Sequence, residues 1–285
     1  MVAKLRGILG TKKIGHAGTL DPMATGLLVL GVGAGTKFLT YLVGLDKTYL
    51  ATIRLGQSTI TDDAEGDITA QCEAGSLAAI NISDIDAGLA NLTGEILQVP
   101  SSVSAIKVNG ERAYAKVRSG DEVKLAARPI TISRFDRLGD PRVSLNWIDL
   151  DIIVNCSSGT YVRALARDLG ASLGVGGHLV ALRRTEVGQY QVTRATDIEA
   201  LQECKKSGES FPITELAEAA AAAFFSLELT EAEETDLRHG KRIGAGNAPK
   251  GEAIAALRQG RLVAMLERSG GVLKSTVVFS ETTDA

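Results

Sequence analysis

Cysteine and histidine are scarce in this sequence of 285 residues, which contains only three of each. The cysteines lie far apart, and the histidines do not cluster with them. None of the spacings typical of zinc sites is present, and a sparse, odd set of cysteines is usual in a reducing compartment. We therefore expect no metal site and no disulfide among Cys72, Cys156 and Cys204.

Long apolar segments are also missing. No apolar run approaches the roughly 20 residues that a membrane-spanning helix requires, and the first residues lack the pattern of a signal peptide. The composition, 45% hydrophobic and 23% charged, is that of an ordinary soluble globular protein. We expect a cytoplasmic protein without a membrane partner, long enough for one large or two unequal domains.

An excess of positive charge is absent, because the formal net charge is −3. Proteins that bind nucleic acids usually cluster lysine and arginine, so the total charge gives no such indication. The distribution is uneven, however. The chain before Asp21 carries only basic charges, a second basic segment lies between Lys107 and Arg128, and acids concentrate elsewhere, as in Thr61–Glu65. A basic face on an acidic protein is compatible with this pattern, although a mixed solvated surface is the commoner explanation.

The most informative stretch is Gly15–Leu28, which reads GHAGTLDPMATGLL. Pro22 disfavours helical dihedral angles in Asp21, so this carboxylate is expected on a shaped loop. Gly15 and Gly18 permit unusual backbone angles, and a short β-like run follows Gly26. An isolated Asp-Pro is most often only a turn, with the side chain bonded to nearby amides.

This stretch resembles the signature of the TruB-type tRNA pseudouridine synthases. The resemblance covers nearly the whole chain up to about residue 200, and it implies isomerisation of uridine to pseudouridine at position 55 in the T loop of tRNA. Further motifs follow in the family's order: Lys47-Thr48-Tyr49, Arg54-Leu55-Gly56, Gln98-Val99-Pro100, Ser104-Ala105-Ile106-Lys107, Gly159-Thr160-Tyr161-Val162-Arg163 and Leu182-Arg183-Arg184.

The resemblance implies catalytic roles for three residues. Asp21 is then the nucleophile, and Arg163 is its partner, whose guanidinium would orient the carboxylate and keep it ionised. Tyr49 is the active-site tyrosine that stacks on the target base and takes part in proton removal. From the local pattern alone, Tyr49 is a core aromatic residue and Arg163 a surface arginine.

Three further residues are implied to bind the substrate. Tyr161 and Leu182 close the uracil pocket, and His16 fills the space vacated by the flipped nucleotide. The local pattern describes Leu182 simply as a strand leucine and His16 as a turn histidine. The chemistry requires neither a redox carrier nor a metal, so we expect no cofactor, and the resemblance implies a monomer.

The start of the chain departs from the family pattern. TruB-type enzymes usually begin with a strand and a Lys-Pro-x-Gly-x-Thr-Ser loop ahead of the first helix, and neither is present before Val2–Leu9. Two expectations remain open: either translation starts upstream of Met1, or the protein works without that strand.

Local signals predict several elements. A helix over Val2–Leu9 is expected to stop at Gly10, and a strand is expected over Thr48–Leu55. Strand-like sequence runs from Ile130 to Val154, with Leu145 among its apolar residues. Four further helices are assigned side-chain caps at their starts: Thr36, Ser83, Thr160 and Thr230.

We expect an α+β fold with a mixed, largely antiparallel sheet carrying helices, followed by a small β-rich unit. Residues 1–210 would form the pseudouridine synthase catalytic domain. Residues 225–282 resemble the PUA-like β-barrel, an RNA-binding domain, that follows the catalytic domain in this family.

Two other functions remain to be distinguished. A non-catalytic protein that binds or folds tRNA would use the same basic face but tolerate Asp21→Asn. A uridine methyltransferase would need a methyl-donor site, and no glycine-rich loop between a strand and a helix has a following acidic partner. The Gly33–Lys37 segment lacks the ending of a phosphate-binding loop, because Thr36 precedes Lys37.

Overall fold

The computed structural model describes residues 1–101, 107–108, 111–112 and 125–280. Residues 113–124 of the basic segment lie outside this part of the chain, and so does Ser104-Ala105-Ile106 of the family motif. Helices in the described part are α1 Val2–Leu9, α2 Gly35–Val43, α3 Ala74–Ala78, α4 Ile82–Asn91, α5 Val162–Ser172, α6 Ile198–Ser207, α7 Leu216–Ala223 and α8 Glu231–Arg238.

The strands in the described part form two main sheets and several short two-stranded pairs. They are β1 Ile14–His16, β2 Thr25–Gly26, β3 Leu30–Val32, β4 Lys47–Leu55, β5 Gln57–Thr59, β6 Ile68–Gln71, β7 Gly94–Gln98, β8 Lys107–Val108, β9 Glu111–Arg112, β10 Arg128–Arg137, β11 Arg142–Val143, β12 Ile148–Cys156, β13 Gly177–Val187, β14 Tyr190–Gln191, β15 Phe225–Glu228, β16 Ile243–Gly244, β17 Ile254–Arg258, β18 Arg261–Ser269 and β19 Val272–Val278.

The larger sheet has eight strands in the order β14-β13-β4-β12-β10-β7, with β11 beside β12 and β2 beside β13. Every pairing is antiparallel except that of β2 with β13, which is parallel. The predicted mixed, largely antiparallel sheet and the α+β class are therefore confirmed.

One face of this sheet carries the main core. Alternate residues of β12 are buried, from Ile148 to Cys156, and they meet α4 and α5. Leu165 and Leu169 of α5 are completely buried in this cluster. The opposite face carries polar side chains, and Asp149 and Asp151 of β12 accept hydrogen bonds there from arginine and threonine. This separation follows from the two-residue period of a strand, and it fixes the face on which helices can pack.

Helix α1 ends as expected at Gly10, which adopts a left-handed conformation. Two predicted caps are wrong. The Thr36 hydroxyl donates to the Gly33 carbonyl at 2.7 Å, and the Thr160 hydroxyl donates to the Ser157 carbonyl at 2.9 Å. Each hydroxyl is bonded back to the preceding turn, and neither accepts from an amide at the start of its helix.

The assignments of Ser83 and Leu145 are also wrong. Asn81 caps α4 and forms a reciprocal capping box with Asp84, so the helix starts two residues earlier than a Ser83 cap would require. Leu145 lies in the connection between β11 and β12 with 76% of its surface exposed, and it contributes nothing to the core.

The second sheet has five strands in the order β15-β17-β18-β19-β16, with only β15 and β17 parallel. It has its own core, in which Ile254, Ala264 and Leu273 are completely buried. Helix α8 begins with the predicted Thr230 cap, which forms a capping box with Glu233. The expected small β-rich unit at the C-terminal end is therefore present.

Helix α2 packs against the second, C-terminal sheet. Its buried Phe38 and Leu42 share a hydrophobic cluster with Met265 and Phe279 of the C-terminal part. The Tyr41 hydroxyl lies 2.6 Å from the hydroxyl of Thr276. The helix that follows the glycine-rich loop thus packs directly against the C-terminal sheet.

Candidate active site

The glycine-rich loop joins β1 to β3, which pair antiparallel with Ile14 opposite Val32. The amide of Ala17 donates to the Val29 carbonyl at 2.9 Å and closes the base of the loop. Within the loop, the Ala24 amide donates to the Asp21 carbonyl at 2.9 Å, which forms a turn through Pro22. Asp21 therefore lies on a shaped loop, as predicted, and 32% of its side chain is exposed.

Arg163 meets Asp21 through two parallel hydrogen bonds. Its Nε lies 3.0 Å from Asp21 Oδ2, and its Nη2 lies 3.1 Å from Asp21 Oδ1. The arginine is the second residue of α5 and is only 6% exposed at its side chain. A cation in the first turn gains nothing from the helix dipole, so the nearby carboxylate is what stabilises it there. The predicted contact between these residues is present.

A second carboxylate binds the other side of the same guanidinium. Arg163 Nη1 lies 3.2 Å from Asp63 Oδ2 and donates to the Thr61 carbonyl at 2.9 Å. The Asp63 side chain is 4% exposed, and its Oδ1 accepts from the Thr61 hydroxyl and from the Glu65 amide. Arg163 is thus held between a buried carboxylate and a partly exposed one.

Asp63 is not among the predicted site residues, because the run Thr61–Glu65 stands out in the sequence only as a concentration of acidic residues. The run is brought back by the β5–β6 hairpin, which follows directly after the strand that carries Tyr49. In the sequence, only the short distance between Tyr49 and this acidic run indicates that Asp63 could lie near the site.

The turn that presents Asp63 is fixed by its neighbour Asp62. Asp62 has a left-handed φ of 59°, and its carbonyl accepts from the Leu179 amide at 3.0 Å. Its carboxylate lies 3.3 Å from Nη1 of Arg167, one turn further along α5 than Arg163. Burial raises the pKa of the Asp62 carboxyl, and the charge of Arg167 opposes that rise. The turn is therefore anchored both to β13 and to α5.

Tyr49 and Leu182 lie on adjacent strands on the core-facing side of the larger sheet. Leu182 is opposite Ala51, and Tyr49 is opposite Arg184. Leu182 is buried in the main core, while Tyr49 packs partly buried against it. Burial raises the pKa of the Tyr49 phenol, and Asp21 lies close enough to raise it further, whereas Arg184 lowers it. The fold therefore brings Tyr49 within electrostatic range of Asp21.

Tyr161 occupies the N-cap position of α5, two residues before Arg163. The side chain of Gln98 holds its backbone, accepting from the Tyr161 amide at 2.9 Å and donating to its carbonyl at 3.1 Å. His16 is the last residue of β1 and is exposed, five positions before Asp21. The substrate-binding roles of Tyr161, His16 and Leu182 remain predictions.

Arg184 is the second residue that the sequence analysis did not single out, beyond its place in a motif. It is 1% exposed. Its Nε donates to the Leu27 carbonyl at 2.8 Å and its Nη2 to the Gly18 carbonyl at 3.1 Å. An arginine in a strand gives no local signal of burial, so only the fold reveals that it lies behind the Asp21 loop.

Among the residues that the structure describes, no group of three or more His, Cys, Asp or Glu side chains is arranged to hold a metal ion. None of the helices in that part of the chain has both the length and the apolar character needed to cross a bilayer.

Comparison with family models identifies the class. Residues 6–162 match the model of the TruB family pseudouridylate synthase N-terminal domain. Residues 163–218 match the tRNA pseudouridylate synthase B C-terminal domain, and residues 224–280 match the C-terminal model of tRNA pseudouridine synthase II. The chain belongs to the TruB family of pseudouridylate synthases, as its motifs predicted.

Close relatives agree with this assignment. The chain is 52% identical to tRNA pseudouridine synthase B of Arthrobacter sp. (strain FB24), with 100% of this chain and 93% of the relative covered. It is 53% identical to the protein of the same name from Leifsonia xyli subsp. xyli (strain CTCB07), with 98% and 91% covered. The family therefore favours an isomerase over the non-catalytic RNA-binding alternative and over the methyltransferase.

Solved structures support the fold. A chain from an H/ACA RNP bound to a substrate RNA containing 2′-deoxyuridine superposes with a TM-score of 0.71 at 20% identity, over 98% of this chain and 80% of that one. A chain from a Cbf5-Nop10-Gar1 complex gives a TM-score of 0.71 at 21% identity, with the same coverage.

Proposed function

We propose that this protein isomerises uridine to pseudouridine at position 55, in the T loop of tRNA, with Asp21 as the nucleophile. The observation that carries the proposal is the pair of parallel hydrogen bonds from buried Arg163 to a partly exposed carboxylate. A carboxylate fixed in this way presents its free lone pairs to a substrate without having to reorganise.

The reaction breaks the bond between ribose C1′ and uracil N1, turns the base, and joins C1′ to uracil C5, after which C5 loses its proton and N1 takes one up. Atoms and electrons balance within the nucleotide, so one nucleophile that is later released is sufficient. A single Asp with an arginine suits this chemistry better than two facing carboxylates, which are typical of glycoside hydrolysis. Asp21 attacks either C1′ or the uracil ring, and both routes use the same contact with Arg163.

The target base must leave its stack before it reaches Asp21, which costs a few kcal/mol. Stacking on Tyr49 would return about 1–3 kcal/mol of this cost. In our proposal Tyr161 and Leu182 close the pocket around the base, and His16 fills the space that the nucleotide leaves. The exposed position of His16, beside the loop that carries Asp21, is suited to that role.

We further propose that the chain has two domains, a catalytic domain over residues 1–210 and a PUA-like RNA-binding domain over 225–282. The separate sheets and the change of family model between residues 218 and 224 support this division. Asp21, Arg163 and Tyr49 come from one chain, so a monomer would contain the complete site. A cytoplasmic location is proposed because a tRNA substrate is found there.

Release of tritium from uridine labelled at C5 in an unmodified tRNA transcript tests the proposal. The unaltered protein should release tritium, and Asp21→Asn should release none while still binding the transcript. Asp140→Asn is the matched control, because that carboxylate is 96% exposed and follows β10, which two strands separate from β13, the strand that pairs with the Asp21 loop. Release by Asp21→Asn at the rate of the control would exclude Asp21 as the nucleophile, and silence of the unaltered protein would favour the RNA-binding alternative.

A further inference from the structure

Arg184 is among the largest fully buried side chains of the described residues. Within that part of the chain, its guanidinium forms no ion pair with a carboxylate, and its side-chain hydrogen bonds go to the two carbonyls already given. Burying a charge without a carboxylate is costly, and an apolar side chain would fill the same strand position more cheaply. The position of this cation therefore calls for a role in the site.

The two carbonyls that Arg184 binds belong to residues before and after Asp21 in the sequence. Gly18 precedes Asp21 by three residues and Leu27 follows it by six, and one planar guanidinium holds both at 3.1 and 2.8 Å. The fixed geometry of the guanidinium sets the separation of the two stems of the loop, which a flexible ammonium group cannot do.

Backbone contacts of the same residue reinforce this clamp. The Leu27 amide donates to the Arg184 carbonyl at 2.8 Å, and Thr25–Gly26 pairs in parallel with Arg183–Arg184. Gly26 has a φ of +95°, and a Cβ there would lie 2.2 Å from the Arg184 carbonyl oxygen. Arg184 therefore holds the loop against β13 by backbone and side chain together.

Arg184 also faces Tyr49, its partner in the register of β4 and β13. The guanidinium lies close enough to the phenol to oppose the rise in its pKa that burial causes. A single side chain therefore contacts the loop of Asp21 and lies beside Tyr49.

We propose that Arg184 is a positioning residue for the isomerisation: it holds the Asp21 loop and Tyr49 in one fixed arrangement. This inference rests on the proposed function. Arg184 itself touches neither the substrate nor the reacting atoms and acts through Asp21 and Tyr49.

Arg184→Met and Arg184→Lys test the inference in single-turnover tritium release with the protein in excess over the transcript. The expected result for Arg184→Met is a rate lower by about 10²-fold, because small displacements of catalytic groups have effects of this size. The dissociation constant for tRNA should stay unchanged. Arg184→Lys should recover only part of the rate, since an ammonium keeps the charge but loses the fork.

Absorbance titration of the Tyr49 phenol checks that Arg184 lies beside this side chain, while the split between a lowered rate and an unchanged tRNA affinity tests the positioning role. The difference between each protein and its Tyr49→Phe counterpart isolates this phenol from the other four tyrosines. Arg184→Met should raise the pKa of Tyr49, because the neighbouring cation that lowers it has been removed.

Arg54→Met is the matched control. Arg54 also makes two hydrogen bonds from a strand, to Asp149 at 2.7 and 2.8 Å, but on the opposite face of the sheet. Its rate should equal that of the unaltered protein. If Arg184→Met and Arg54→Met have the same rate, the inference is overturned while the proposed function survives. If the unaltered protein is inactive, the proposed function fails first.

If Arg184→Met does not fold, Arg184→Lys provides the test, because lysine keeps the buried charge. A rate at least about tenfold below the unaltered protein, with unchanged tRNA affinity and melting temperature, supports a positioning role. A rate equal to that of the unaltered protein overturns it.

Discussion

Asp21 and Arg163 are separated by 142 positions in the sequence, yet two hydrogen bonds of 3.0 and 3.1 Å join them side by side. The carboxylate belongs to a loop between two short strands, and the guanidinium belongs to the first turn of α5. The contact forms only when α5 packs onto the larger sheet, so folding of the core and assembly of the site are one event.

Arg163→Lys should lower the single-turnover rate by about 10²-fold or more, because charge-assisted hydrogen bonds worth about 1.5–3 kcal/mol each are lost. A lysine cannot bind Asp21 through two parallel bonds and also reach Asp63. Tritium release and tRNA binding measure the two effects separately, and affinity should not change. Arg134→Lys, at an exposed ion pair with Asp136, is the control. Equal rates for the two variants would contradict this prediction.

Asp63→Asn should slow the reaction by about tenfold, since one charge-assisted bond to Arg163 is weakened while the side-chain shape is kept. Among the described residues, Asp21 would then be the remaining carboxylate on Arg163, and Arg163 would hold it differently. Single-turnover kinetics check the rate, and filter binding checks that the affinity for tRNA is retained. Asp67→Asn, at an exposed position in the same hairpin, should behave as the unaltered protein. A loss of affinity instead of rate would assign Asp63 to RNA binding.

Gly26→Ala should destabilise the protein by about 2–4 kcal/mol, because the new Cβ meets the Arg184 carbonyl oxygen at 2.2 Å and the φ of +95° disfavours alanine. Urea unfolding measures the change. Gly174→Ala is the control, with a φ of +72° and open space around its Cβ, and should cost about 1 kcal/mol. Equal losses would mean that the approach of Arg184 to the loop is not tight.

Stability should fall as the pH drops below about 6.5 because of His178. Burial lowers the pKa of this imidazole below 6.5, and its Nδ1 lies 3.1 Å from the Gln57 carbonyl. The unfolded state then binds a proton that the folded state excludes, so the stabilisation is complete above pH 6.5 and is lost as the pH falls. Urea titrations of the unaltered protein and His178→Gln compare the slopes, and identical slopes would refute the assignment.

Phe224→Ala should weaken the connection between the two sheets, at a cost of about 2 kcal/mol for a partly buried ring. Phe224 packs edge-on against Phe38 at 5.9 Å and against Tyr41 at 6.1 Å. Limited proteolysis at increasing urea concentrations should release the C-terminal part of this variant at a lower urea concentration than in the unaltered protein. Phe225→Ala, at the exposed neighbouring position, is the control and should have little effect. Unchanged proteolysis of Phe224→Ala would show that other contacts hold the sheets together.

Local sequence was sufficient for strands with a clear two-residue period and for helices with strong stops, such as Gly10 and the Thr230 cap. It failed at Thr36 and Thr160, because a threonine hydroxyl can accept from the helix ahead or donate to the turn behind. Both outcomes satisfy one hydrogen bond locally, so the choice depends on the path of the surrounding backbone.

What the sequence by itself determined is the family, the α+β class and the loop of Asp21, because these rest on a long motif and on periodic burial. Only the tertiary structure decided which side chains surround the carboxylate of Asp21. Asp63 reaches the site through a hairpin, and Arg184 through the pairing of β13 with the loop. Charged side chains give no local signal of burial, since they become favourable inside a protein only where distant segments supply their partners.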